Sequence, residues 1–127
     1  MDCIFCKIVK REISSYKIYE DSLFFGFLDI FPLSKGHVLL IPKNHYRWVN
    51  DVPEFGMYWE IARKIARTIE KKLGATSISY LTLGDEVPHA HIRIIPRYSS
   101  DPYLTLRQPH TFPKEEMEDI QKKIQTS

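Results

Sequence analysis

Cys3 and Cys6 stand three residues apart near the N-terminus, and far down the chain His89 and His91 alternate with Arg93. In an extended strand alternate side chains share a face. His89, His91, Arg93 and Ile95 are therefore expected to point one way, and Pro88, Ala90, Ile92 and Ile94 the other. The apolar set should face a helix, leaving the cationic set to line an open face suited to holding anions, a metal or both. The C-x-x-C spacing lets two thiolates bind one zinc ion, which takes four ligands in a tetrahedron. Two more ligands are then required, and the residues alone leave His37, His45, His89, His91 and His110 open. Each piece also has a plain alternative: His-x-His occurs by chance on exposed edge strands, and two cysteines can sit near a terminus without a metal. A thioredoxin-like redox role needs C-x-x-C between a strand and a helix of a βαβ unit, and the pattern that follows is not βαβ.

The elements that must position these residues read as follows. Lys17 to Glu20 and Leu23 to Asp29 are two strands around a turn at Asp21-Ser22, with Phe24, Phe25 and Phe27 supplying aromatic bias. Pro32 to Gly36 is a loop, and His37 to Ile41 is a third, nearly all-apolar strand closed by Pro42. From Phe55 to Leu73 the period changes. Tyr58, Ile61, Ala62, Ile65, Ile69 and Leu73 recur at three- and four-residue steps, the stripe of an amphipathic helix, and Gly74 stands at its C-terminal cap. Ser77 to Leu83 and His89 to Ile95 read as strands around a short polar loop. Pro113 opens a last helix whose acids precede its lysines, the order a helix dipole favours. The expected fold class is α+β: an antiparallel sheet of about five strands with one long helix and a C-terminal helix on one face.

A chain of 127 residues fits a single domain, residues 1–127, that folds without disulfides. A net charge of +2 demands neither a nucleic acid nor a membrane as partner, yet does not repel a small anion. No apolar run approaches the roughly 20 residues of a membrane helix, and the N-terminus is too short in apolar residues for a signal peptide. A cytoplasmic location follows, where thiols stay reduced and are free for metal chemistry.

CIFCKIV at Cys3 to Val9, FLDI at Phe27 to Ile30, KGHVLLIPKNH at Lys35 to His45 and VPHAHIRIIPR at Val87 to Arg97 together resemble the histidine-triad (HIT) family. The likeness covers residues 3–98 or so, leaving 99–127 as a C-terminal extension. In the bacterial-type members it resembles, zinc is held by residues matching Cys3, Cys6, His45 and His89. Such a set is a closed structural site with no open position for water. The resemblance makes His91 the nucleophile, attacking the α-phosphorus of a nucleoside phosphate or dinucleoside polyphosphate to give a nucleotidyl-histidine that is then hydrolysed or transferred. It matches Asp29 to a carboxylate that grips the ribose hydroxyls, and Ile4, Phe5, Ile8, Phe27 and Ile30 to an apolar slot for the base. Ordinary core packing is the alternative for those five. His37 matches a histidine beside the site, and a homodimer is the assembly implied.

Two features depart from the family pattern. Arg93 stands where the third histidine is expected; it stays charged and can hold a phosphate bidentately, but cannot shuttle a proton. The segment Leu83-Gly84-Asp85-Glu86-Val87 lacks the neutral Asn, Gln, Ser or Thr donors expected there. A narrower or slower reaction is expected, favouring leaving groups that need little protonation. The rival readings are a nucleotide-binding sensor or scaffold with little turnover, and a redox or zinc-buffer protein using Cys3 and Cys6 alone.

Overall fold

The computed structural model describes residues 3–100 and 111–126. Five strands form one antiparallel sheet: β1 (Lys17–Glu20), β2 (Phe24–Leu28), β3 (Val38–Pro42), β4 (Ser77–Leu81) and β5 (Ile92–Arg97), in the spatial order β1-β2-β3-β5-β4. The helices are α1 (Ile4–Val9), α2 (Phe55–Leu73) and α3 (Lys114–Ile124), with a short 3-10 turn at Val49–Asp51. The expected fold class holds, and α2 matches its expected span to the residue.

Every residue of β2 and β3 is buried, because these central strands are covered on both sides. On one side Phe24, Leu28, Val38, Leu40, Ile92 and Ile94 meet Tyr58, Ile61, Ala62, Ile65 and Ile69 of α2. Met117, Ile120 and Ile124 of α3 complete that core. The Tyr58 hydroxyl donates to the Leu40 carbonyl at 2.7 Å, seating α2 on β3 while satisfying a buried phenol. The Phe24 and Tyr58 rings stack with centroids 4.9 Å apart. On the other side Phe25, Phe27, Leu39 and Ile41 meet Cys3, Phe5 and Ile8.

That second core corrects the expectation of helices on one face only. Six residues of α1 lie across the opposite face, and periodicity over so short a stretch does not announce a helix. Its end is marked by Arg11, in the left-handed region at φ 64°, whose guanidinium reaches Glu20 at 3.0 Å. Lys17 and Lys43 reach the same carboxylate at 3.0 and 2.8 Å, so Glu20 ties α1, β1 and the end of β3 together. The hydrogen bonds from Lys43 and Lys17 hold its carboxyl down at about 2.

Gly36 sets the approach to β3. Its φ of +86° suits glycine, and a Cβ there would come within 2.6 Å of Leu73. Among the described residues, no helix is long and apolar enough to cross a membrane.

Candidate functional site

His89 and His91 were expected inside a strand running to Ile95; in the structure β5 begins only at Ile92. The β3–β5 ladder pairs Val38 with Ile94, Leu39 with Arg93 and Leu40 with Ile92, and ends there. Before it, the Ala90 N–H bonds to the Tyr46 carbonyl at 2.6 Å and the His89 N–H to the Val87 carbonyl at 2.8 Å. The chain therefore leaves the sheet and leans on the segment after β3. Strand β4 likewise stops at Leu81 instead of Leu83, the next residues belonging to that loop.

The alternation of faces survives, but the cationic face is not open. Ala90, Ile92 and Ile94 join the α2 core as expected. His89 and His91 are buried, because α1 covers them: the Phe5 ring meets His89 edge-on at 5.9 Å and His91 at 5.5 Å.

The His89 ring is fixed at both nitrogens. Nε2 lies 2.8 Å from the Pro42 carbonyl, which only accepts, so Nε2 carries the proton. In the neutral ring Nδ1 then presents a lone pair, and it faces two sulfurs, Cys3 Sγ and Cys6 Sγ, each 3.4 Å away. His45 Nδ1 lies 3.3 Å from Cys6 Sγ. All four ligand atoms of Cys3, Cys6, His45 and His89 fall within 4.8 Å of one another. A tetrahedral zinc with ordinary bond lengths has edges of roughly 3.4–3.8 Å, so the cluster fits that ion. A carbonyl on the far nitrogen of a ligating histidine is the usual way its ring is oriented. Burial pushes the Cys6 thiol up, with Cys3 adding to the effect. Of the five histidines left open by the sequence, the structure thus brings His45 and His89 to the cysteines; His110 lies outside the described residues.

His91 is held the opposite way round. Its Nδ1–H donates to the His89 carbonyl at 2.9 Å, leaving Nε2 as a bare acceptor, buried and without a partner. Burial lowers its pKa, opposed by the bond to His89 and reinforced by the Arg93 charge. The ring is therefore neutral near pH 7. His37 is fully buried; its Nδ1 accepts the Leu33 N–H at 3.0 Å, so its proton sits on Nε2. That Nε2 has no hydrogen-bond partner and lies 3.8 Å from Asp29 Oδ2. Burial brings His37 down to about 4, against the pull of Asp29. Asp29 Oδ1 accepts the Phe31 N–H at 2.9 Å. Arg93 shares the α1 side of the sheet with its partner Leu39, and its Nε is buried without a partner. An unused imidazole acceptor, an unused imidazole donor and an unused guanidinium N–H thus occupy one buried neighbourhood.

The apolar residues divide. Phe5, Ile8 and Phe27 are packed in the second core, whereas Ile4 and Ile30 are 47% and 58% exposed. Core packing accounts for the first three and not for the last two.

His91 also lines a cleft of about 70 Å³ together with Arg47, Trp48, Thr82 and Gly84, among others. No sequence motif points to this cleft, because Arg47 and Trp48 belong to none and meet Gly84 only through the fold.

The HIT domain family model matches residues 10–100. An uncharacterised HIT-like protein of Methanocaldococcus jannaschii is 40% identical over 106 residues, covering 78% of this chain and 81% of that protein. The adenosine 5'-monophosphoramidase of Saccharomyces cerevisiae is 37% identical over 100 residues, covering 75% and 62%. The crystal structure of a zinc-bound histidine triad family protein from Mycobacterium smegmatis superimposes with a TM-score of 0.82 at 30% identity, over 98% of this chain and 94% of that one.

Proposed function

The chain belongs to the HIT domain family, and on that footing we propose that it is a nucleotide hydrolase or nucleotidyltransferase in which His91 forms a nucleotidyl-histidine. The observation that carries the reading is the state of His91: a neutral, buried imidazole with its proton committed to the His89 carbonyl and its Nε2 lone pair unused. In the first step Nε2 attacks the α-phosphorus, a P–N bond forms, and the bond to the leaving oxygen breaks with its electron pair. The ring becomes cationic, and its Nδ1–H keeps the His89 carbonyl as partner throughout. In the second step water attacks the same phosphorus, the P–N pair returns to Nε2, and a proton is released to solvent. Splitting one displacement into two is the gain of covalent catalysis.

The remaining residues position the substrate. Asp29 offers acceptor oxygens to the ribose hydroxyls. The Nε2–H of His37 and the guanidinium of Arg93 are unused donors for phosphoryl oxygens, and such fixed donors supply much of the catalysis in phosphoryl transfer. Exposed Ile4 and Ile30, backed by Phe5, Ile8 and Phe27, form the base slot. The exposure of Ile4 and Ile30 favours this over core packing alone.

Zinc is the metal best suited to Cys3, Cys6, His45 and His89. When bound it supplies a rigid cross-link and takes no part in the reaction. Thiolate ligands suit a reducing compartment, in keeping with a cytoplasmic location. A homodimer is supported by β4, an edge strand, beside an apolar patch in which Phe55, Met57 and Tyr80 are exposed and Trp59 packs against both aromatic neighbours.

The test is to mix the protein with a dinucleoside polyphosphate, quench in denaturant and measure the intact mass. A nucleotide-sized adduct that disappears in His91→Ala is expected. Tight binding with neither adduct nor product would replace catalysis by a sensor role, which the acidic Asp85 and Glu86 beside the site would then explain.

A further inference from the structure

We propose that Arg47 and Trp48 form a subsite for the departing group, and that this subsite takes the phosphate chain of a nucleoside or dinucleoside polyphosphate. The inference rests on His91 being the nucleophile and adds what it displaces.

The cleft that Arg47 and Trp48 share with His91 measures about 70 Å³. Pockets that hold drug-sized molecules start at roughly 300 Å³, so a nucleoside does not fit, whereas a phosphoryl group is of the right order. Arg47 supplies the charge. Its Nη2 donates to the Gly84 carbonyl at 3.1 Å, and its guanidinium carbon lies 4.7 Å from the centre of the Trp48 ring. Two anchors hold the guanidinium over the indole, and among the described residues no carboxylate pairs with it. An arginine oriented without an ion-pair partner keeps several N–H groups free, in the fork that matches phosphate oxygens.

Gly84 makes this arrangement possible. A Cβ at that position would come within 2.1 Å of the Trp48 ring, so any other residue there must displace the indole and the arginine stacked on it. The absence of a side chain in the loop before His89 is thus a shape requirement of the cleft. Asp85 and Glu86 do not line the cleft, although the Glu86 charge reaches His91.

The chemistry agrees with an anionic departing group. When the P–O bond breaks, the electron pair stays on the bridging oxygen of the leaving phosphate, which is stable as an anion near neutral pH and requires no proton. An amine leaving group does require one, and neither Arg47 nor Arg93 can release it.

The protein is assayed on two substrates carrying the same nucleoside: a dinucleoside triphosphate, and the nitrophenyl ester of the nucleoside monophosphate, whose departing group bears no phosphate. Arg47→Ala is expected to lower kcat/KM on the triphosphate roughly tenfold or more, as loss of a charged hydrogen bond implies, and to change the nitrophenyl ester by no more than about twofold. Gly84→Ala should give the same selective loss, and circular dichroism should show both variants folded. A parallel fall on the two substrates, or no fall on either, overturns the subsite while leaving the nucleophile intact. If the unmodified protein binds the nucleoside monophosphate but turns over neither substrate, the nucleophile reading fails and the subsite falls with it.

Discussion

Phe5→Ala is the sharpest probe of the reasoning, because one ring is asked to close the core under α1 and to wall the two histidines. Phe5 is 7% exposed and meets Phe27, His89 and His91 edge-on at 5.6, 5.9 and 5.5 Å. Truncating a buried phenylalanine costs about 3–5 kcal/mol. The lower end applies here, since α1 is a single short outer helix that can settle into part of the space left. The expected loss is therefore about 3 kcal/mol, which for a chain of this length lowers Tm by about 10–15 °C. Phe5→Leu, which refills much of the volume, should recover most of it. The assay is urea unfolding followed by far-UV circular dichroism, with zinc present throughout so that the cross-link is the same in all three proteins. A loss under about 1 kcal/mol, well below the expected range, would refute the claim that α1 is part of the core. So would a melt in which α1 releases well before the sheet, since the ring would then be closing nothing that the sheet depends on.

Three further outcomes follow from particular contacts. Cys3→Ser should abolish stoichiometric zinc as measured by metal analysis, because Cys3 Sγ faces the His89 lone pair; full retention would make the ligand assignment wrong. Glu20 is held at about 2 against an ordinary 4.5 by the hydrogen bonds from Lys43 and Lys17, so its contribution to stability is complete above pH 4.5 and lost as pH falls towards 2. Lys43→Met should therefore lower the urea midpoint at pH 7 and have little effect near pH 2, and a pH-independent difference would contradict the assignment. Arg93→His restores a titrating group next to His91, and should raise activity on a nucleoside phosphoramidate relative to a polyphosphate. An unchanged ratio would show that proton supply is not what Arg93 removes.

The helices and strands with strong period were legible in the sequence. The stripe from Tyr58 to Ile69 gave α2, and the alternation through Ala90, Ile92 and Ile94 placed the α2 face of β5, because burial on one side leaves a repeating mark. The resemblance named Cys3, Cys6, His45 and His89, and the structure brings all four together. What it could not convey was depth. His91 reads as a residue on an open face, and α1 buries it, because a six-residue helix has too few turns for a pattern. β5 starts later than the alternation suggests because the Ala90 N–H finds the Tyr46 carbonyl, a partner more than forty residues away that no local rule anticipates. Arg47, Trp48 and Gly84 were invisible for the same reason: their relation is spatial, and only the ring that fills the space above the glycine discloses it.

The strand order has a consequence for how the molecule comes to exist. β1, β2 and β3 pair as sequence neighbours, and so do β4 and β5, whereas the β3–β5 seam joins two halves separated by the whole of α2. Closing that seam carries the largest loop entropy in the sheet and is the slowest kind of pairing to form. His37, Asp29, Arg47 and His45 lie on the near side of it, and His89, His91 and Arg93 on the far side. Neither half can hold a complete metal cluster or present a nucleophile to its donors. Competence thus depends on one seam, and a chain in which β3 and β5 are unpaired carries every chemical group and no site.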